Sequence, residues 1–351
     1  MDGDLAKRIA AGLRSPKAHA TPLDAADEAA LDRAMRGRDL VINTSLPRFN
    51  PAIQKVALQL GLHYLDPASD VADPFVDSDL WKRKGLTAVC GLGEDPGIGN
   101  VFVRYAADGM DRVESIKVRD GDTASSPDHP FIALFSPETF VEETLAPSRI
   151  WRDSVYEPVP PFGASETFEF PSPVGSLTVY SVDHEEVDTL PRLIGKGVRY
   201  VDFKLALDAT TVQTLKLFRD LHLLERGPPG GPSLRKALFA ALPKPADLAG
   251  QLDGHAVILV EVVGEANGER VVHTIYTMLG HREAFDRFGA TATAYLTGTG
   301  VAAGAILLAD GTIRGRGKLS PESLDPGPFF SLLRRFGLTV QEQIRRERTL
   351  N

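Results

Sequence analysis

A single cysteine, Cys90, stands in this chain of 351 residues. No intramolecular disulfide can form, and a thiolate metal site is excluded. Cys90 lies in the apolar run LTAVCGL and reads as a small buried hydrophobe rather than a nucleophile. Positive charge is also scarce: 39 Lys and Arg face 47 Asp and Glu, for a net charge of -8. General nucleic-acid or membrane-surface binders need a clustered positive field, so neither partner is expected. The basic run Arg345-Arg346-Glu347-Arg348 is short and mixed, and reads as a solvated helix end. No apolar stretch is expected to reach the roughly 18 to 20 residues that span a bilayer. The N-terminal MDGDLAKRIAAGLRS lacks the apolar core of a signal peptide, and a reducing, cytoplasmic setting is the expectation. The histidines show no metal-ligand spacing, and no metal is expected.

What is present is enough for a large core, with 43% hydrophobic and 25% charged residues in a length that suits two intimately packed domains. DLVINTSL (39–46), HYLDPA (63–68) and LTAVCGL (86–92) read as buried strands. Between them, Asn50-Pro51 starts a helix that Gly61 stops, and DPFVDSDLWKRKG (73–85) reads as another. Pro96 is placed in the first turn of a third helix. Strands about every 22 to 24 residues with helices between predict parallel βαβ units, hence an open, doubly wound α/β sheet. The middle differs. VESIKVRDG, SETFEFP, GSLTVYSVD and VRYVDFKLAL read as strands without intervening helices. HAVILVEVVGE and RVVHTIYTML flank Asn267-Gly268, a strong hairpin signal. TTVQTLKLFRDLHLLE is an amphipathic helix, and RGPPGGPS (226–233) a loop. An antiparallel α+β domain over 112–289 is therefore expected, inserted into a Rossmann-like domain of 1–111 plus 290–351. In the latter, 290–311 is a small-residue helix and SLLRRFGLTV a closing short helix.

One further absence bears on function. A doubly wound nucleotide-binding domain opens with a strand and a Gly-x-Gly-x-x-Gly turn, where the diphosphate meets free amides at a helix N-terminus. This chain opens in a helical run, LAKRIAAGL, with Asp4 as its expected cap and no such turn before it. GLGEDPG (91–97) has similar glycine spacing but follows the third recognisable strand. Glu94 and Asp95 would oppose a diphosphate, and Pro96 removes an amide donor. It reads as a decoy.

The stretches ALDRAMRGRDLVINTSLP, GLHYLDPAS, GLGEDPGIGNVFVRYAADGMD, DHEEVDTLPR and TGTGVAAGAILLADGTIRGRGKLSPES, in this order, resemble the saccharopine dehydrogenase-like family, which includes saccharopine reductases and lysine 6-dehydrogenases. The resemblance implies hydride transfer at a carbon–nitrogen bond of an amino-acid or opine-like small molecule, with NAD or NADP as cofactor, in a homodimer. It places the start of the chain just after the family's second strand, with Asp2 near the position of the acidic residue that binds the adenosine ribose. The first strand and fingerprint, about 25 to 30 residues, would then be absent, through a late start or a real loss.

By the same resemblance Asn43, Thr44, Ser45, Leu46 and Pro47 form the loop at the cofactor ribose. Asp24 lies beside the adenine, or else caps the helix DEAALDRAM. GLGEDPGIGN then borders the nicotinamide and substrate, with Gly97 and Gly99 allowing close approach and Asn100 donating to substrate or cofactor. Asp66, at a strand end, and His184, with Glu185 beside it, are the candidates for proton transfer near neutral pH. Arg192 is a candidate bidentate grip on a substrate carboxylate, or a surface ion-pair partner. Two rival readings remain: a non-catalytic member that has lost the dinucleotide site, and a reductase of a larger hydrophobic substrate. The second would use Phe131, Phe135, Phe140, Phe162, Phe168 and Phe170 as a pocket rather than as core.

Overall fold

The computed structural model describes residues 3–13, 15–69, 73–225 and 233–347. Asp2 and most of the 226–233 loop lie outside them. Helices Gly3–Gly12 (α1) and Glu28–Met35 (α2) precede strand Leu40–Ile42 (β1). Asn50–Leu60 (α3), His63–Leu65 (β2), Ser78–Arg83 (α4), Thr87–Val89 (β3) and Ile98–Asp108 (α5) then alternate. Next come Arg112–Asp122 (β4), Pro137–Leu145 (α6), Ser148–Arg152 (β5), Val155–Val159 (β6), Glu166–Phe170 (β7) and Gly175–Ser181 (β8). Glu186–Ile194 (α7), Tyr200–Ala206 (β9), Ala209–Asp220 (α8) and Leu234–Ala241 (α9) lead to the hairpin His255–Ala266 (β10) and Glu269–Gly280 (β11). His281–Phe288 (α10), Ala292–Ala309 (α11), Gly317–Leu319 (β12), Pro326–Arg335 (α12) and Val340–Glu347 (β13) close the order.

Two sheets result. The smaller runs β1-β2-β3-β12 and is parallel throughout, as the alternating pattern predicts. The larger runs β13-β11-β10-β4-β9-β5-β6, with β8 also on β9 and β7 on β8. It is mixed rather than antiparallel, because β4 and β9 pair in parallel from Ser115–Tyr200 to Asp120–Leu205. The two strands β5 and β6 were not expected. The Asn267-Gly268 turn joins β10 to β11 as expected, both residues taking positive φ (54° and 75°), as a type I′ turn requires. Helix α3 ends at Gly61 in the left-handed conformation, also as expected.

Local departures have physical causes. Asp27, not Asp24, caps α2 by accepting from Ala29 N and Ala30 N, while Asp24 closes the preceding turn on Ala26 N at 2.9 Å. Pro96 precedes its helix instead of sitting in the first turn: α5 starts at Ile98 with Gly97 as N-cap. The basic C-terminal run is no helix end; QEQIRRE pairs along β11 as the edge strand β13. Its charged, exposed face is the kind that protects a sheet edge from further pairing.

Helix α5 is the hinge of the architecture, linking β3 to β4 with Ile98 through Val103 buried between the two sheets. One core runs from Leu65 and Val89 of the small sheet through Phe102 to Ile258 and Val118 of the large one. Helix α11 packs over the same junction. Its 18 uncharged residues make it the one described helix long and apolar enough by composition to cross a membrane, contrary to the sequence expectation. Leu296, Val301, Ala303 and Leu307 of this helix are buried in that core.

Candidate active site

The loop that leaves β3 sets the geometry. Gly93 N–H donates to Pro96 O (2.7 Å) and Ile98 N–H to Gly93 O (3.1 Å), so residues 93–98 form a tight knot. A Cβ on Gly97 would lie 2.1 Å from Gly93 O, and one on Gly300 of α11 would also lie 2.1 Å from that oxygen. Only glycines allow the knot to close and α11 to lie on it. Glu94 and Asp95 are thereby fixed in a cavity of about 530 Å³ between the sheets. Its wall also carries Thr44 to Phe49 after β1, Pro67 and Ala68 after β2, Asp120 on β4, and His184 and Glu185 before α7.

The acids here are crowded. Burial, then Asp95, Asp120 and Asp122, push the Glu94 pKa far up, and its Oε1 has no hydrogen-bond partner among the described residues. Burial, then Asp120, raises Asp95 as well. Burial, then Asp122, raises Asp120 to about 7, offset in part by His184 and by a hydrogen bond from Asp95. Burial and mutual repulsion thus push these neighbouring carboxyls, which cannot all ionise, toward sharing protons. His184 stacks flat on Phe203, with ring centroids 3.8 Å apart. Burial alone would push its pKa down, but the Glu186 carboxylate on Nδ1, then Glu185 and Asp95, outweigh it and raise the pKa well above the usual range. The imidazolium form of His184 is thus favoured at the cavity wall, with Nε2 the nitrogen that Glu186 does not occupy.

The other expected site residues divide. Thr44, Ser45, Leu46 and Pro47 line the cavity, but Asn43 is buried and spends its side chain on the loop, accepting from Ser45 N (3.0 Å) and donating to Asn50. Asp66, expected to face the crevice, is fully buried and accepts Gly91 N–H at 2.7 Å. Gly99 packs within a Cβ's reach of Ile258 and Val118, which turns it to the large sheet. Asn100 is consumed in the fold: its Oδ1 accepts Gly97 N–H (2.8 Å) and its Nδ2 donates to buried Glu322 (3.1 Å). Arg192 takes the surface option, 3.4 Å from Asp73 and over the Phe75 ring. Two other guanidiniums stand at the crevice: Arg48, on the cavity wall and 3.0 Å from Glu138, and Arg149 on β5, which lines an adjoining cavity of about 320 Å³ with Arg48, His184 and Glu185. The Arg149 Nη2 meets Asp188 at 2.9 Å. Of the phenylalanines, Phe131, Phe140 and Phe170 are core, whereas Phe135 lines the crevice cavity. Sequence reading missed Asp120. The signal was available, since Asp120 and Asp122 share one face at the end of β4 beside core residues.

The buried carboxyls make a pH prediction. The Asp66 pKa is raised from 3.8 to about 7, by burial first and despite the Gly91 N–H. A raised carboxyl binds its proton more tightly in the folded state, so stability is lost as pH climbs from about 4 through about 7. Three pKa units correspond to on the order of 4 kcal/mol. Asp66→Asn should flatten the fall in melting temperature between pH 5 and pH 8. A mutant that falls as steeply as the parent would show that Asp66 titrates normally.

A parallel sheet, a larger mixed sheet, a crevice at the carboxyl ends of the parallel strands and a polar cavity where the sheets meet are the arrangement of an α/β fold of the nucleotide-binding kind. Residues 1–89 match the saccharopine dehydrogenase NADP binding domain, and residues 93–338 the saccharopine dehydrogenase C-terminal domain. The chain belongs to the saccharopine dehydrogenase family. It is 27% identical to a carboxyaminopropylagmatine dehydrogenase from Synechocystis, over 96% of this chain and 88% of that one. It is 29% identical to a carboxynorspermidine synthase from Vibrio alginolyticus, over 87% and 78%. Saccharopine dehydrogenase (L-Glu forming) from Saccharomyces cerevisiae shares the fold, with a TM-score of 0.70 at 16% identity over 93% of this chain and 89% of that one.

The open carboxyl ends of β1 and β2 are where a nicotinamide would fit this chain. Thr44 to Pro47, Pro67 and Ala68 lie at the ends of β1 and β2 on the wall that His184 shares. The 91–97 turn does not fit a diphosphate, because Glu94 and Asp95 would oppose that anion and Pro96 offers no amide donor. A glycine loop for the diphosphate does not occur among the described residues.

Proposed function

We propose that the chain is an NADP-dependent oxidoreductase acting at a carbon–nitrogen bond of a carboxylate-bearing amine with further basic nitrogens. The observation that carries this reading is the group of Glu94, Asp95 and Asp120, three carboxyls held partly protonated around one cavity. An ammonium entering there would let them ionise and be held by them in a low-dielectric site. The names of the two curated relatives, both carboxylated amines, support the same class. Bound NADP(H) supplies the hydride chemistry. His184 would carry the proton, keyed to it by Glu186, and the loop after β1 would shield the reacting carbon from water. Arg149 is the residue placed to meet a carboxylate, in place of Arg192.

Purified protein should oxidise NADPH when given a short aldehyde acid together with a diamine, and not when given an apolar ketone. Turnover of apolar ketones alone would overturn the reading in favour of a hydrophobic-substrate reductase. A cytoplasmic homodimer completes the proposal, and analytical ultracentrifugation tests the assembly.

A further inference from the structure

A second cavity of about 550 Å³ adjoins the first, and the two share Asp120, Phe135, Leu205 and Thr293 as a common wall. It is large enough for a whole small ligand. Beyond the shared wall it is lined by Asp122 and Asp208, with Ile132 and Leu207 supplying apolar surface. No lysine or arginine lines it among the described residues. Asp122 is oriented by His281, whose Nε2 lies 3.2 Å from both carboxylate oxygens, and by Thr293 at 3.3 Å. His281 Nδ1 accepts Ala292 N–H (3.2 Å), which leaves Nε2 as the nitrogen that donates to Asp122. On the near side stands Glu94, 3% exposed, with Oε1 unpartnered and in the field of Asp120 and Asp122. A buried carboxyl without a partner, beside two more acids and an apolar passage, is arranged for a cation on a methylene stem.

We propose that this second cavity takes the distal cationic arm of an elongated amine whose reacting nitrogen lies in the first cavity, with Asp120 between the two. The assignment rests on the reading of the first cavity as an amine site. It adds that amine length is selected here, by Asp122 and the apolar walls at the end of β4 and in β9.

The test is calorimetric titration of the full chain with propylamine and with agmatine, one cationic end against two. Agmatine is expected to bind at least ten-fold more tightly than propylamine. Thr178→Arg, at an exposed position on β8 whose backbone alone bonds Leu207, brings a cation to this cavity. It should reduce agmatine affinity to that of propylamine and leave propylamine binding unchanged. Asp122→Asn should weaken agmatine in the same direction. Equal affinities for the two amines in the parent protein, or equal losses for both amines in Thr178→Arg, would overturn the proposal. NADPH oxidation is read separately. If the binding pattern holds while no amine supports oxidation, the redox reading falls and the subsite stands.

Discussion

Alanine in place of Gly300 is expected to cost more stability than any other addition of one methyl group to α11. The new Cβ would lie 2.1 Å from Gly93 O and 2.9 Å from Gly93 C, both backbone atoms of the knot that also forms the N-terminus of α5. No rotamer change relieves a clash with backbone. Either α11 moves off the small sheet or the 93–98 hydrogen bonds break, and the junction core opens with them. A loss of about 4 kcal/mol or more is expected, at the extreme of single substitutions. Gly298→Ala is the internal control, two residues earlier in the same helix, exposed and with nothing within 4 Å of its Cβ. It should be neutral or stabilise by up to about 1 kcal/mol through helix propensity. Urea denaturation of both variants reads the contrast, and similar effects of the two would refute the close approach of α11 to Gly93.

The second large effect is kinetic. His184→Gln should lower kcat by about 10² to 10⁴, the usual worth of a positioned proton carrier. Because glutamine also perturbs packing on Phe203, the discriminating variant is Glu186→Gln. Burial pulls the His184 pKa down, and the carboxylate of Glu186 is the largest influence holding it up. With that charge gone and the shape kept, His184 should lose its proton at lower pH. The alkaline limb of the pH–rate profile should then move downward while the protein stays folded. An unshifted limb with a proportionate loss of kcat at every pH would make the pair structural and remove His184 from the chemistry.

Much of the fold was legible because it is locally coded. Apolar runs punctuated by Asn50-Pro51 and Gly61 specify a strand and helix whatever surrounds them, and Asn267-Gly268 specifies its hairpin through two positive φ values. The family was legible for a related reason, since ordered motifs persist where the chain must turn. The same turns carry Thr44 to Pro47 and His184, which the fold brings to the wall of one cavity.

The site's chemistry was not local. Asp66 and Asn100 look like crevice residues in a linear reading, being polar and next to strand or helix ends. Only the packing shows Asp66 sealed inside with Oδ1 on Gly91 N–H, and Asn100 bonded to Gly97 and Glu322. Asp120 became a site residue because β4 brings it opposite a loop 25 positions earlier and a histidine 64 positions later, as 120 less 95 and 184 less 120 show. Its pKa rises through desolvation and neighbouring charge, which no sequence window contains. The C-terminal QEQIRRE became a strand for the same reason: its polar pattern favours neither state, and pairing with β11 decides it. The sequence alone determined the alternating elements of the first part, the β10–β11 hairpin and the family. Tertiary structure decided which acids are buried together, because burial and distance between remote residues exist only once the chain has folded.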